Sequence, residues 1–351
     1  MPHITILATG GTIAGCGDSA DQGAYTSATL HVDELIASVP SLGELAQIEG
    51  EQVAQVGSQD VSPEHWLKLA RRARACLAHE DTAGVVVTHG TDTLEETAFF
   101  LDQVLPADKA IVITGAMRPA SGLSADGPRN ILDSVRVAVH PEARDRGVLV
   151  VLDEIIHSAR GVTKTNTARV STFQSPDIGT AGAIVAGRTI FYRKAAPRAE
   201  RSLPDLEGLS SLPRVDIVNA CAGAQPDIVQ ACLDLGAQGI VLAGVGNGNA
   251  SKEMVAALAE AVSAGVPVVR STRAGSGFVA RNLEIDDDGL AVGAHVQRTP
   301  SAPGGGALRG SARFERDRRI IVVAAATAPL RSARACRSRP PCSLPRSVAS
   351  P

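Results

Sequence analysis

The chain carries 351 residues, 44% of them hydrophobic and 20% charged, with a formal net charge of −3. That length points to about two domains, with cores of Ala, Val, Leu and Ile because aromatics are only 3%. The charge excludes a globally basic nucleic-acid or membrane-surface binder, and no apolar run approaches the roughly 20 residues of a membrane-spanning helix.

Strands are predicted at residues 4–8, 84–88, 110–114 and 147–152, each a continuous apolar run rich in β-branched side chains. Such runs suit strands buried on both faces of a parallel sheet. Helical patterns lie between them. Ser62-Pro63 reads as a turn that starts a helix. Thr93-Leu94-Glu95-Glu96 has capping-box spacing, in which Thr93 caps and Glu96 reaches back. Leu94, Thr97, Ala98, Leu101, Val104 and Leu105 then share one helical face. This alternation predicts an α/β fold with a larger N-terminal parallel-sheet domain, residues 1–194. A Pro-, Ser- and charge-rich linker, 195–212, leads to a smaller C-terminal α/β domain, 213–297. There, strands at 215–219, 239–243 and 266–271 alternate with helices at 225–235 and 251–264.

Residues 298–351 differ in kind. They hold eleven Arg, no Lys and only two acids, Glu315 and Asp317, among clustered Pro and Gly. The stretch reads as an atypical, poorly packed Arg/Pro-rich tail rather than a nucleic-acid arm, with one strand conceivable at 320–326. The six cysteines, Cys16, Cys76, Cys221, Cys232, Cys336 and Cys342, form no CxxC pair and no metal-ligand spacing; free thiols and no metal are expected. Met1-Pro2-His3 runs straight into the first strand without a basic n-region. A cytoplasmic address is therefore expected for the chain as written, and a periplasmic one if a leader has been removed.

Two segments carry the chemistry: Ala8-Thr9-Gly10-Gly11-Thr12-Ile13-Ala14-Gly15 and Thr88-His89-Gly90-Thr91-Asp92-Thr93. Each puts threonine hydroxyls where a strand hands over to a loop, the edge at which open α/β sheets bind ligands. Thr12 after a glycine pair suits a nucleophile beside exposed amide N–H groups, and it needs a partner to take its proton. The same residues also read as a glycine turn with a capping threonine. Asp92 reads either as a carboxylate for a substrate ammonium or as an acid at a helix N-terminus. Lys164, in Val162-Thr163-Lys164-Thr165-Asn166-Thr167, supports Thr91 if desolvated and neutral, or is a surface lysine. Ser58-Gln59, at a strand end, offers donors for a carboxylate. Tyr25 lies in a polar, small-residue stretch, 15–29, that reads as a lid. His89 reads as a support of the sheet edge, not as a base. No phosphate-loop motif is present.

Together with Gly57-Ser58-Gln59-Asp60, Gly115-Ala116-Met117-Arg118-Pro119, Ser124-Ala125-Asp126-Gly127-Pro128 and Gly244-Val245-Gly246-Asn247-Gly248-Asn249, these segments resemble the bacterial-type L-asparaginase / glutaminase-asparaginase family, in its order and across residues 3–296. Their spacing is most similar to its secreted, high-affinity subgroup. The resemblance implies hydrolysis of L-asparagine, and of L-glutamine to an unknown extent, without cofactor. It implies Thr12 as nucleophile with Tyr25 beside it, and Thr91, Lys164 and Asp92 as a second catalytic set. Ser58, Gln59 and Asp92 would hold the substrate's carboxylate and ammonium, and the Ala116 backbone its amide. Asn249 and Glu284 would come from a neighbouring subunit of a homotetramer, with no nucleic acid or membrane as partner.

The resemblance stops at Ala294-His295-Val296. Family members continue there into a Leu-Asn-Pro-x-Lys-Ala-Arg segment and a closing helix; Gln297-Arg298-Thr299-Pro300 opens the Arg/Pro-rich tail instead, as a reading-frame slip near Val296 would produce. One disulfide of secreted relatives near Cys76 is not expected, because Pro106-Ala107 stands at its partner's place. The competing readings are a tail-disrupted, poorly assembled or inactive homologue and an amino-acid-binding sensor. A sensor would keep Ser58 and Asp92 without needing Thr12, Tyr25, Thr91 and Lys164 together.

Overall fold

A computed structural model describes residues 1–17, 24–195, 203–287 and 291–292. In chain order its elements are β1 (His3–Gly10), α1 (Val32–Ala37), α2 (Leu42–Leu45), β2 (Gln47–Val56), α3 (Pro63–Ala78), β3 (Thr82–Thr88), α4 (Leu94–Val104), β4 (Ala110–Thr114), α5 (Gly127–Val139), β5 (Val148–Leu152), β6 (Ile155–Ser158), β7 (Thr163–Lys164), β8 (Phe173–Gln174), β9 (Gly182–Val185) and β10 (Arg188–Phe191). A second set follows: β11 (Val215–Asn219), α6 (Asp227–Asp234), β12 (Gly239–Gly244), α7 (Lys252–Ser263), β13 (Val268–Thr272) and β14 (Ala291–Val292).

The first sheet has eight strands in the order β10-β9-β6-β5-β4-β3-β1-β2. From β2 through β5 all pairings are parallel, whereas β6, β9 and β10 join antiparallel at one edge. The parallel strands are buried on both faces, as their unbroken apolar runs predict. Alternation along each strand splits the core in two. Val85, Val87, Ile111 and Ile113 face α3 and α4, while Val86, Ala110 and Val112 face α1, α2 and α5. The order reverses between β1 and β3, so the loops after these two strands flank the switch point where such sheets bind ligands.

The smaller sheet, β11-β12-β13-β14, is wholly parallel. Val241 and Val269 from it join the α3/α4 core. This explains one departure from the sequence pattern. α4 was expected to bury a single face, yet Leu94 through Leu101 includes Glu95, Phe99 and Phe100 as buried residues. The second sheet and the segment around Leu206 enter the same core. That segment falls within the expected linker, and it is anchored: Arg71 donates to the carbonyls of Leu206 and Leu209, at 2.8 and 2.5 Å. Cys16, Cys76, Cys221 and Cys232 are free thiols, and burial pushes those of Cys76 and Cys232 upward in pKa. Cys336, Cys342, the tail and the strand conceived at 320–326 lie outside the described residues, as do 18–23 of the expected lid.

Candidate active site

The loop after β1 turns through Gly10 and Gly11, with φ of 103° and 82°, a region in which side chains are strained. Space forbids a side chain too. A Cβ on Gly11 would lie 2.2 Å from the Cα of Gly90, and one on Gly90 would lie 2.7 Å from Cβ and Oγ of Ser58. Three loops, after β1, β2 and β3, therefore meet at close range, and the motif glycines Gly11 and Gly90 are what lets them meet.

Thr12 follows at once, in a short 3-10 turn covering Thr12–Ala14. Its Oγ1 lies 2.9 Å from the Tyr25 hydroxyl. Tyr25 remains 42% exposed. The chain on either side of residues 18–23 is tied down: Cys16 and Thr26 exchange both backbone hydrogen bonds, and Ala28 donates to the Gly11 carbonyl.

Thr91 is buried beside Gly90. Lys164, on β7, donates to Thr91 Oγ1 at 2.9 Å and to Asp92 Oδ1 at 2.6 Å. Its side chain is 17% exposed against 61% for Asp92. Lys164 thus reaches Thr91 and Asp92 with the same nitrogen, so the support for Thr91 expected from sequence comes with a carboxylate partner. Ser58 is buried and accepts from the Asp92 backbone N–H at 3.2 Å. Thr93 does not cap α4 with its side chain; it donates to the Ser58 carbonyl at 2.8 Å instead. A local capping contact has been exchanged for one that ties the β2 and β3 loops together. Gln59 is exposed and donates to Asp60 at 3.2 Å.

The Gly115–Ala116 turn after β4 closes the rim. A Cβ on Gly115 would fall 2.6 Å from the His89 carbonyl and 3.2 Å from Thr91 Cγ2. Ala116 is fully buried. Asp126 receives the backbone N–H groups of Met117 and Arg118 at 3.0 and 2.9 Å, which pins this turn. Ala120 donates to the Gly15 carbonyl, so the same loop also holds the segment that follows Thr12.

Asn249 and Glu284 do not join this cluster in the described contacts. They hydrogen-bond to each other at the edge of the second sheet. Behind them lies a buried ion pair: Arg270, on β13, donates twice to Asp287 at 2.6 Å, and also to the carbonyls of Asn247 and Ala280. Burial works to raise the Asp287 pKa, but the Arg270 guanidinium and the Asn282 N–H outweigh it and hold the carboxyl below its ordinary value. Both loops that carry Asn249 and Glu284 are fastened by this pair.

Sequence reasoning passed over three groups. Glu95 is buried and accepts from the Lys164 backbone N–H at 2.6 Å; its capping-box position disguised it. Asp126 hid in a turn. Arg270 left a usable signal, because a charge inside an apolar strand requires a buried partner. Among the described residues no group of three or more His, Cys, Asp or Glu side chains is placed to hold a metal ion.

Two family descriptions match the chain: Asparaginase, N-terminal, over residues 3–197, and Glutaminase/Asparaginase C-terminal domain, over 214–300. The chain is 45% identical over 288 residues to L-asparaginase 2 of Escherichia coli, covering 82% of each protein. It is 45% identical to a probable periplasmic L-asparaginase of Haemophilus influenzae, again covering 82% of each. Against a glutaminase-asparaginase of Pseudomonas fluorescens the identity is 41%, over 82% of this chain and 80% of that one. A crystal structure of a probable cytoplasmic L-asparaginase from Campylobacter jejuni superposes with a TM-score of 0.83 at 36% identity, covering 93% of this chain and 95% of that one.

Proposed function

Since the chain belongs to the asparaginase family, and is thereby an amidohydrolase, we propose that it hydrolyses the side-chain amide of L-asparagine, and more slowly or equally that of L-glutamine, through a threonine nucleophile. The observation that carries this reading is the convergence of two threonine hydroxyls, each with its own polar partner, on one sheet switch point. Thr12 is paired with Tyr25, and Thr91 with the Lys164–Asp92 ion pair.

In this reading Thr12 Oγ attacks the amide carbon while its proton is relayed through the Tyr25 hydroxyl to the amide nitrogen, which leaves carrying it. The resulting oxyanion collapses, ammonia leaves, and an aspartyl ester remains on Thr12. Thr91 is held as an acceptor by Lys164, which directs its own hydroxyl hydrogen away from the ammonium and toward the substrate. Ser58 and Gln59 receive the α-carboxylate, Asp92 the α-ammonium, and the Ala116 backbone the amide. Clamping both ends of a small zwitterion brings its amide to the nucleophile and lowers the entropic part of the barrier. Water then releases aspartate. Two active sites per pair of subunits would be completed by Asn249 and Glu284 of a neighbour, in a homotetramer. Relatives named for periplasmic and for cytoplasmic enzymes leave both addresses open to this chain.

The test is ammonia release from L-asparagine and L-glutamine by purified protein, beside Thr12→Ala. The wild type is expected to release ammonia and the variant to lose at least about a thousandfold in kcat, as removal of a nucleophile does. Wild-type rates from Thr12→Ala would transfer the nucleophile's role to Thr91.

A further inference from the structure

Beneath the threonines runs a chain of hydrogen bonds that the hydrolysis itself does not use. Trp66, on α3, is the only tryptophan in the sequence. Its Nε1–H donates to Thr97 Oγ1, on α4, at 2.8 Å. Thr97 Oγ1 lies 3.0 Å from His89 Nε2, and His89 Nδ1 lies 2.7 Å from the Gly90 carbonyl oxygen. A carbonyl only accepts, so Nδ1 carries the proton and Nε2 accepts from the Thr97 hydroxyl. Every polar hydrogen then points one way, from indole to hydroxyl to imidazole to Gly90. Burial holds His89 in its neutral form, with a pKa of about 4. The indole is stacked on Phe100, with centroids 5.4 Å apart.

The end of this chain is the peptide that matters. Gly90 is wedged between Gly11 and Ser58 with no room for a Cβ, and the next residue is Thr91. We propose that Trp66, Thr97 and His89 form a buried positioning strut that sets the Gly90 peptide plane, and through it the placement of Thr91 against Ser58 and Gly11. A fully satisfied buried network is stiff, whereas one with a missing member leaves costly unpaired groups and frees its neighbours to move. None of the three touches substrate in this arrangement. The kinetic arm of the test rests on the amide-hydrolysis reading; the structural arm does not.

Thr97→Val keeps the side-chain shape and removes the hydroxyl; Thr97→Ser returns it. With L-asparagine, Thr97→Val is expected to lower kcat about ten- to hundredfold while KM stays within about threefold, since small displacements of reacting groups cost this much. Thr97→Ser is expected to restore most of the loss. A Thr97→Val enzyme that melts earlier but keeps its kcat per folded site would overturn the proposal, because a merely structural role predicts that. Crystal structures of Thr97→Val and wild type supply the second arm: a rotated Gly90 carbonyl supports the strut, and an unmoved Gly90–Thr91 pair rejects it. Should Thr97→Val fail to fold, Trp66→Phe, which retains the stack on Phe100, is read by the same two criteria. Wild-type protein that releases no ammonia would sink the functional reading, and the crystallographic comparison would still decide the strut.

Discussion

Lys164 shows what a single side chain does here. One ammonium serves an acceptor hydroxyl on Thr91 and a carboxylate on Asp92, and its backbone N–H is held by buried Glu95. Replacing it as Lys164→Met keeps the stem and removes the charge. This variant is expected to lose about a hundred- to ten-thousandfold in kcat, the range seen when a positioned proton-handling group is removed. Its KM should rise far less, because Ser58, to which the proposed function gives the carboxylate, is unchanged. Steady-state kinetics on L-asparagine measure both; a variant with intact kcat would remove Lys164 from the mechanism. The pairing of Lys164 with Thr91 was readable only as a candidate. They stand 73 positions apart, and no local pattern joins them.

At the scale of elements, two buried histidines couple the sheet to acid. His89 directly follows β3, and His157 lies on β6, where its Nδ1 is 2.9 Å from Ser175 Oγ. Burial holds both pKa values down at about 4, from 6.5. The unfolded chain therefore binds protons that the folded one refuses between these values. Stability that is complete above pH 6.5 declines as pH falls toward about 4, and these two groups add no further loss below that. Thermal melts between pH 7 and 4 are expected to show this decline, and His157→Gln, remote from the threonines, to flatten it. An unchanged slope in His157→Gln would show that other groups govern the acid limb. Element boundaries themselves followed closely from apolar runs, as at β4 and β11. The antiparallel edge β6, β9 and β10 went unread, because strands of only four residues are too short to leave a distinctive run.

For the whole molecule, the placement of Asn249 and Glu284 is decisive. The pair sits in the loops that follow β12 and β13, bonded to itself, with Val245, Phe278 and Leu283 exposed nearby in sequence. A homotetramer with shared sites predicts a solution mass of about four copies of the 36.1 kDa chain by light scattering. It further predicts that mixing Thr12→Ala with Asn249→Ala subunits under dissociating conditions, then restoring assembly, regenerates some activity in hybrid sites. A stable monomer with full activity would dismiss the shared site.

By itself the sequence determined the α/β class, the parallel strands and the identity of the two threonine loops. These depend on local composition: β-branched runs form buried strands, and glycine pairs permit turns that other residues resist. Tertiary structure alone decided which residues meet. Thr93 abandoned its cap for Ser58, Glu95 turned inward to Lys164, Arg270 found Asp287, and Trp66 reached His89 through Thr97. Each of these is a contact between segments distant in the chain or a local choice overruled by one. Such contacts are selected by burial, which makes an unpaired polar group too costly to leave, and burial is a property of the folded whole.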